Sequence, residues 1–322
     1  MQPKRVAVLR GGPSAEYDIS MLTGAGVLAA LAARGYHTKD VVIDRAGEWL
    51  VEGFIREPEA VLVDVDVVFL ALHGAYGEDG TVQRIFDRIK IPYTGSGPYA
   101  SRIAMNKHLA KEHLKTLGFK LPKHLRVTRD GVSDVMKTAL SINELFGPRY
   151  VLKPLSGGSS IDTHMVNGVG SLAMMIGDML SEYDEIMVEE RISGKEATVG
   201  VLEGFRGSQY YILPEIEIVP PPDREFFAAD VKYTGATEEI VPGRFSKDEK
   251  LALRQAAQAI HQTLNLQQIS RSDFIVNPSG IYFLEVNTLP GLTAESLLPR
   301  AMTAVGSTYE ELIEHLVKTA RV

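Results

Sequence analysis

The chain has 322 residues, of which 45% are apolar and 23% charged, a formal net charge of −7 and no cysteine. That length permits two or three domains with ample core, the acidic balance argues against a nucleic-acid partner held by phosphate contacts, and the missing cysteines exclude disulfides, thiolate metal sites and a cysteine nucleophile. The apolar run from Val6 to Leu9 is too short for a secretion signal, and the longest apolar stretch, near residues 61–72, is broken by Asp64 and Asp66, so a cytoplasmic location without a membrane span is expected.

Taken in chain order, residues 5–9 predict a short buried strand and residues 19–34 a helix ending near Gly35. Strands follow at 38–43 and 65–72, then a helix at 82–90. This alternation predicts an α/β unit with a parallel sheet wrapped by helices over the first 95 residues or so. The run Thr94-Gly95-Ser96-Gly97-Pro98 marks a domain boundary. Beyond it the pattern predicts a single helix over 100–117, strands near 125–127 and 150–153, a helix at 170–179 and a strand at 186–189. Antiparallel strands are expected within 194–202 and 209–219. Residues 219–245 contain Pro and Gly and predict a long loop, which in a compact domain reads as a lid or binding loop. Helices are expected at 247–264 and 308–319.

The segment from Arg271 to Asn287 carries the most chemistry. Two runs rich in Ile, Val, Phe and Tyr flank Pro278-Ser279-Gly280, which suits a three-residue hairpin loop closing Asn277 onto Ile281. That register sets Asp273 opposite Glu285 and Arg271 opposite Asn287, all on one face, with Phe274, Val276, Leu284 and Val286 on the other, buried face. Facing carboxylates repel unless a cation lies between them. With an Asn amide oxygen alongside, a hard ion such as Mg²⁺ fits. The other reading is a surface hairpin with solvated acids. Upstream, Lys153-Pro154 ends a strand and Ser156-Gly157-Gly158-Ser159-Ser160 supplies backbone N–H groups for an anion. The pattern is not a Walker A loop, and a Gly/Ser loop after a strand also serves as a plain turn. Arg10-Gly11-Gly12-Pro13-Ser14 lacks the spacing of a dinucleotide fingerprint, which argues against a nicotinamide cofactor.

Together these segments resemble the D-alanine–D-alanine ligases of the ATP-grasp superfamily along essentially the whole chain. The resemblance rests on Gly11 to Glu16, Leu72-His73-Gly74 with Gly77-Glu78-Asp79-Gly80, Pro92 to Gly97, Lys107, Lys153-Pro154, Gly158-Ser159-Ser160, Glu189 to Glu196, Lys232-Tyr233, Arg271 to Asp273 and Glu285 to Gly291. It implies a three-domain ATP-grasp fold with an N-terminal Rossmann-like domain (1–97), a central subdomain (98–188) and a C-terminal subdomain with the metal site and lid (189–322). It implies D-alanine as substrate, ATP as co-substrate, Mg²⁺ or Mn²⁺ as cofactor, and a homodimer.

Carried over residue by residue, Lys107 and Lys153 match phosphate-binding lysines, and Gly158, Ser160 and Lys232 match further ATP contacts. Glu189, Ile192 and Glu196 match adenine and ribose contacts, and Asp273, Glu285 and Asn287 match metal ligands. Arg271 and the N–H of Gly291 match oxyanion donors. Glu16 matches the partner of the first substrate's ammonium, with His73 near it. Ser296 and the N–H of Leu297 match holders of the second carboxylate, and Ser159 and Tyr233 match the closing loop contacts. Without the resemblance, His73 reads as a structural histidine and Tyr233 as an ordinary loop aromatic. Three positions depart from the family pattern. Asn106 stands for Asp, Gly157 for Glu and Asp162 for Gly, which bears on loop closure and nucleotide affinity. Alternatives are a ligase making D-alanyl-D-lactate or D-alanyl-D-serine, and a nucleotide-binding homologue with little ligase activity.

Overall fold

The computed structural model describes residues 4–158, 161–221 and 237–322. Strand β1 (Arg5–Gly11), helix α1 (Tyr17–Ala33), β2 (His37–Ile43), β3 (Trp49–Val51), β4 (Phe54–Ile55), α2 (Pro58–Leu62), β5 (Val67–Leu70) and α3 (Thr81–Ile89) build the first layer. Their sheet runs β4-β3-β2-β1-β5. Only β2, β1 and β5 are parallel; β3 and β4 pair antiparallel at the edge, so the expected all-parallel sheet is a mixed one. The two edge strands are three and two residues long, too short for a readable alternation.

Helices α4 (Pro98–Met105) and α5 (Lys107–Leu114) replace the single helix expected over 100–117. Asn106 has extended φ/ψ and accepts a hydrogen bond from the Leu109 N–H (3.0 Å), ending one helix and capping the next. Then come β6 (His124–Thr128), α6 (Val135–Phe146), β7 (Arg149–Pro154), β8 (His164–Asn167), α7 (Val169–Glu182) and β9 (Glu185–Glu190). These strands form a sheet in the order β6-β9-β7-β8, all pairs antiparallel, with α6 and α7 packed on one face.

The third sheet takes β10 (Lys195–Glu203), β11 (Tyr210–Ile212), β12 (Ile216–Val219), β13 (Glu238–Ile240), β14 (Ile269–Asn277) and β15 (Gly280–Asn287). Its order is β13-β12-β10-β14-β15, with β11 beside β10. The stretch expected as an unbroken loop over 219–245 thus contains β13, paired to β12; its middle lies outside the described residues. Helix α8 (Lys247–Thr263) opens with a full capping box, Ser246 with Glu249. Helix α9 (Leu297–Ala304) precedes α10 (Tyr309–Lys318), which is capped likewise by Thr308 and Glu311.

These last two helices return to the first layer. Leu298, Met302, Leu312, Ile313 and Leu316 share one core with Val6, Val8, Val27 and Leu31. The Tyr93 N–H donates to the Arg321 carbonyl (3.2 Å). Among the described residues no helix is long and apolar enough to cross a membrane.

Candidate active site

The hairpin β14–β15 places the expected four residues on one face, but by a different route. The loop is one residue shorter than predicted: Asn277 pairs with Gly280, not Ile281. Leu284 then bulges out of the ladder between the Phe274–Phe283 and Asp273–Glu285 pairs, and the two offsets cancel. Asp273 faces Glu285 and Arg271 faces Asn287 as expected. The bulge also moves Leu284 off the buried face. It lines the cleft instead, and Phe283 packs in the core against Phe274.

Asp273 is tightly held. Arg271 donates from Nε to Oδ1 (3.0 Å) and from its terminal nitrogen to Oδ2 (2.9 Å). Thr198, cross-strand on β10, donates its hydroxyl to Oδ1. Asn287 Nδ2 donates to Oδ2 (3.3 Å), which leaves the Asn287 amide oxygen as a donor atom for a cation. Burial works against the Arg271 charge, but Asp273 outweighs it and raises the guanidinium pKa. Two carboxylates and an amide oxygen form a hard donor set that fits Mg²⁺ or Mn²⁺ and not a thiophilic metal.

Cations face this hairpin from the neighbouring elements. Lys107, the first residue of α5, donates to the Gly157 carbonyl (2.5 Å) and lies 3.7 Å from Glu285 Oε2. Burial, aided by the Lys153 ammonium, lowers its pKa. Lys153 on β7 lies 2.7 Å from Glu189 Oε2, and Lys111, one helical turn after Lys107, pairs with the other Glu189 oxygen. All three side chains are essentially enclosed. Burial opposes ionising Glu189, but the Lys111 and Lys153 ammonium groups prevail and hold it down at about 2. Burial pulls Lys111 down to about 8 even so. Lys111 escaped sequence reasoning because a lysine four positions after Lys107 reads as the solvated face of a helix.

Between the four-stranded and six-stranded sheets lies a cleft open to solvent. Val151, Met165, Ile192, Ile275 and Leu284 give it apolar walls, while Lys153, Glu189, Glu196, Arg271, Asp273 and Glu285 give it a charged end.

A second group of predicted residues gathers beside the first sheet. Glu16 precedes α1, and its carboxylate lies so near Gly74 and Gly158 that a Cβ on either glycine would stand 2.9 Å from Oε2. His73 is buried, with Nε2 2.9 Å from Thr23 Oγ1 and Nδ1 3.1 Å from the Leu289 carbonyl. Burial lowers its pKa against the pull of Glu16. Ser296 is the N-cap residue of α9 but makes no side-chain cap bond. Its Oγ accepts from the Thr293 N–H (3.1 Å), and a Cβ on Gly291 would stand 2.9 Å from it. Leu297 opens α9 and reaches the cleft wall. Ser159, Ser160, Lys232 and Tyr233 lie outside the described residues.

Sequence reasoning also missed Glu78, although its motif was noted. It is buried and accepts from the Gly74 N–H (3.0 Å) on one oxygen and from the Thr288 N–H (3.2 Å) and Leu289 N–H (3.1 Å) on the other. It ties the loop before α3 to the loop leaving β15. Burial, then the charge of Glu16, pushes it up to about 7. The three positions read as departures in the sequence have local answers. Asn106 caps α5 as an aspartate does. Gly157 has φ +127°, open to glycine. Asp162 sits at φ +53°, which aspartate tolerates better than most residues, and the Tyr183 hydroxyl donates to its carboxylate.

Two antiparallel sheets enclosing a cleft with clustered lysines and a carboxylate-bearing hairpin, behind a Rossmann-like sheet, define an ATP-grasp fold. Residues 52–96 match the family profile described as the D-ala D-ala ligase N-terminus and residues 113–318 that of the D-ala D-ala ligase C-terminus. A D-alanine–D-alanine ligase of Geobacter sulfurreducens is 38% identical over 325 residues, covering 100% of this chain and 96% of that one. Among solved structures, the Bacillus anthracis D-alanine–D-alanine ligase complexed with ATP superposes with a TM-score of 0.80 at 30% identity, covering 98% and 97% of the two chains. A D-Ala:D-Ser ligase of Enterococcus faecalis gives 0.82 at 27% identity over 99% of each chain. The chain belongs to the D-alanine–D-alanine ligase family and is an enzyme of the ligase class.

Proposed function

We propose that this chain joins two D-alanines into D-alanyl-D-alanine with conversion of ATP to ADP and phosphate, in the supply of peptidoglycan precursor. The observation that carries this reading is the convergence of Lys107, Lys153 and Arg271 with Asp273, Glu285 and Asn287 at one end of the cleft. A carboxylate is a poor electrophile because its oxygen leaves badly. Here a carboxylate oxygen of the first D-alanine attacks the γ-phosphorus, ADP departs, and an acyl phosphate forms. The amine of the second D-alanine then attacks the acyl carbon, phosphate leaves and the amine proton is released.

The residues take these roles. Ile192, Glu189 and Glu196 border adenine and ribose, while Lys107, Lys153 and Gly158 hold phosphates. Asp273, Glu285 and Asn287 would hold Mg²⁺ or Mn²⁺, which when bound offsets charge on the transferring phosphoryl group. Glu16 pairs with the first ammonium, with His73 fixing the adjoining loop. Arg271 and the Gly291 N–H stabilise the oxyanion. Ser296 and the Leu297 N–H hold the second carboxylate at the start of α9, whose first-turn N–H groups its N-cap side chain leaves untaken. Ser159, Ser160, Lys232 and Tyr233 keep the roles the resemblance assigns them. Tyr233 would close on Ser159, and its neutral hydroxyl leaves the site open to an incoming amine.

The division into 1–97, 98–188 and 189–322 belongs to the same reading. Each of the three sheets draws on one of these stretches, save the last two residues of β9. So do a cytoplasmic location and a homodimer, the latter checked by light scattering. The function is tested by product analysis at neutral pH with ATP, Mg²⁺ and equal D-alanine, D-serine and D-lactate. Mostly D-alanyl-D-alanine is expected. A depsipeptide or a D-seryl product in excess would overturn the second-substrate assignment, and no ADP release with D-alanine would overturn the whole reading.

A further inference from the structure

Behind the nucleotide cleft, and contributing nothing to its lining, α5 and β6 bring His108, Glu112 and His124 together. One ligand atom from each lies within 4.8 Å of the others. His108 and Glu112 are four residues apart on α5, so they share a helix face. The His124 and His108 rings meet edge to face with centroids 5.8 Å apart, and His124 Nε2 is 3.8 Å from Glu112 Oε1.

Two further features point to a ligand and not to a chance cluster. His124 Nδ1–H donates to the Pro122 carbonyl (2.9 Å), which fixes the tautomer and leaves the Nε2 lone pair facing Glu112. Metal-ligating histidines are commonly held this way, through the other ring nitrogen. His108 Nδ1 is buried and has no hydrogen-bond partner, an orphaned polar atom of the kind that calls for an explanation. Glu112 is the exposed arm. Its side chain is 41% exposed, and its pair with Lys115 at 3.4 Å is an exposed one worth little.

The geometry points to a second metal site, a His108–Glu112–His124 centre for a borderline transition ion of the Zn²⁺ class, with a coordination position left open to solvent. Imidazole pairs with one carboxylate suit Zn²⁺ or Co²⁺ and not Mg²⁺, so this centre is chemically distinct from the oxygen set on β14–β15. Ligand atoms around such an ion lie about 3.3 Å apart for metal–ligand bonds near 2.0–2.1 Å. Small side-chain rotations of Glu112 and of the imidazoles would supply that closure. The ion would pin α5 to β6. Helix α5 starts at Lys107 and carries Lys111, and β6 pairs His124 with Glu189 of β9, so the pin lies directly under the buried lysine–glutamate group.

The test uses the full chain in excess Mg²⁺, titrated with Co²⁺ alone and followed by visible absorption. Uptake of one Co²⁺ with the bands of a low-coordinate nitrogen-containing site is expected, together with a rise in Tm of about 2 °C or more at hundredfold excess over Kd. His108→Ala and His124→Ala should each weaken uptake by about a hundredfold or more, beyond the loss of an outer partner. Unchanged Co²⁺ uptake in the double variant would overturn the assignment and place the ion elsewhere. Should the variants fail to fold, imidazole NMR of the wild-type chain with Zn²⁺ decides. The ring signals of His108 and His124 must shift more than those of the other histidines, and their failure to do so overturns the proposal.

Discussion

At the scale of single residues, the charges that matter are buried and paired. Glu285, proposed as a metal ligand, is the residue whose carboxylate also faces Lys107. Glu285→Gln keeps the shape and removes the charge, so kcat should fall by roughly a hundredfold or more, the scale seen when one group stabilising transition-state charge is lost. Near-normal turnover in steady-state assays would remove Glu285 from the metal set. Glu189 makes a pH prediction. Its folded pKa, about 2, lies below its ordinary value, so its stabilisation is fully present above about pH 4.5 and is lost as pH falls toward 2. The contribution is of the order of 3 kcal/mol. Glu189→Gln strands two buried ammonium groups and should cost about 3–5 kcal/mol at neutral pH. Lys111→Met, which leaves Lys153 as partner, should cost less. Urea denaturation between pH 2.5 and 7 checks both, and a Glu189→Gln variant with the wild-type acid slope would contradict the assignment.

Among the elements, α5 is the most instructive. Its N-cap is Asn106, where the resemblance leads to an expectation of aspartate. Asn and Asp cap about equally well, and removing either typically costs about 1 kcal/mol. Asn106→Asp should therefore leave stability nearly unchanged. Asn106→Ala should destabilise by about 1 kcal/mol and raise the KM for ATP, because the cap sets where Lys107 begins. Equal KM values in the two variants would show that the cap does not position Lys107. The same residue shows the limit of reading this chain by periodicity. The apolar spacing runs smoothly through residues 100–117, and one asparagine with extended backbone splits it. In the hairpin, the alternation of Phe274, Val276 and Val286 was legible and correct. The turn length was not, because Pro-Ser-Gly suits both two- and three-residue loops, and the bulge at Leu284 appears only once pairing is known. Asp273, Glu285, Glu189, Lys107 and Lys153 are legible as candidates in the chain, and the structure brings them together. Lys111, Thr198 and Glu78 could not, since each acts through a partner brought near by tertiary packing.

On the scale of the whole molecule, Glu78 joins parts distant in sequence. One carboxylate accepts from Gly74 on one side and from Thr288 and Leu289 on the other, directly after Asn287, which is proposed for the metal set. An amide has one accepting end, so Glu78→Gln should leave an N–H facing a donor and cost about 1–3 kcal/mol. The pH sign is opposite to that of Glu189. With a folded pKa raised to about 7, the group makes the fold less stable as pH rises from about 4.5 to about 7. Glu78→Gln should abolish that decline, measured as the slope of unfolding free energy between pH 4.5 and 7. A slope identical to wild type would place the titrating group elsewhere.

The closing of the first core by α9 and α10 also bears on how the molecule is made. Strand β1 and helix α1 leave the ribosome long before their partners Leu298, Met302, Leu312 and Leu316 are made. Synthesis proceeds at about 5–20 residues per second, and domains that can close early do so while still attached. Here the apolar flank of α1 stays uncovered until α9 and α10 have emerged, so this core closes late in synthesis however early its first strand is made.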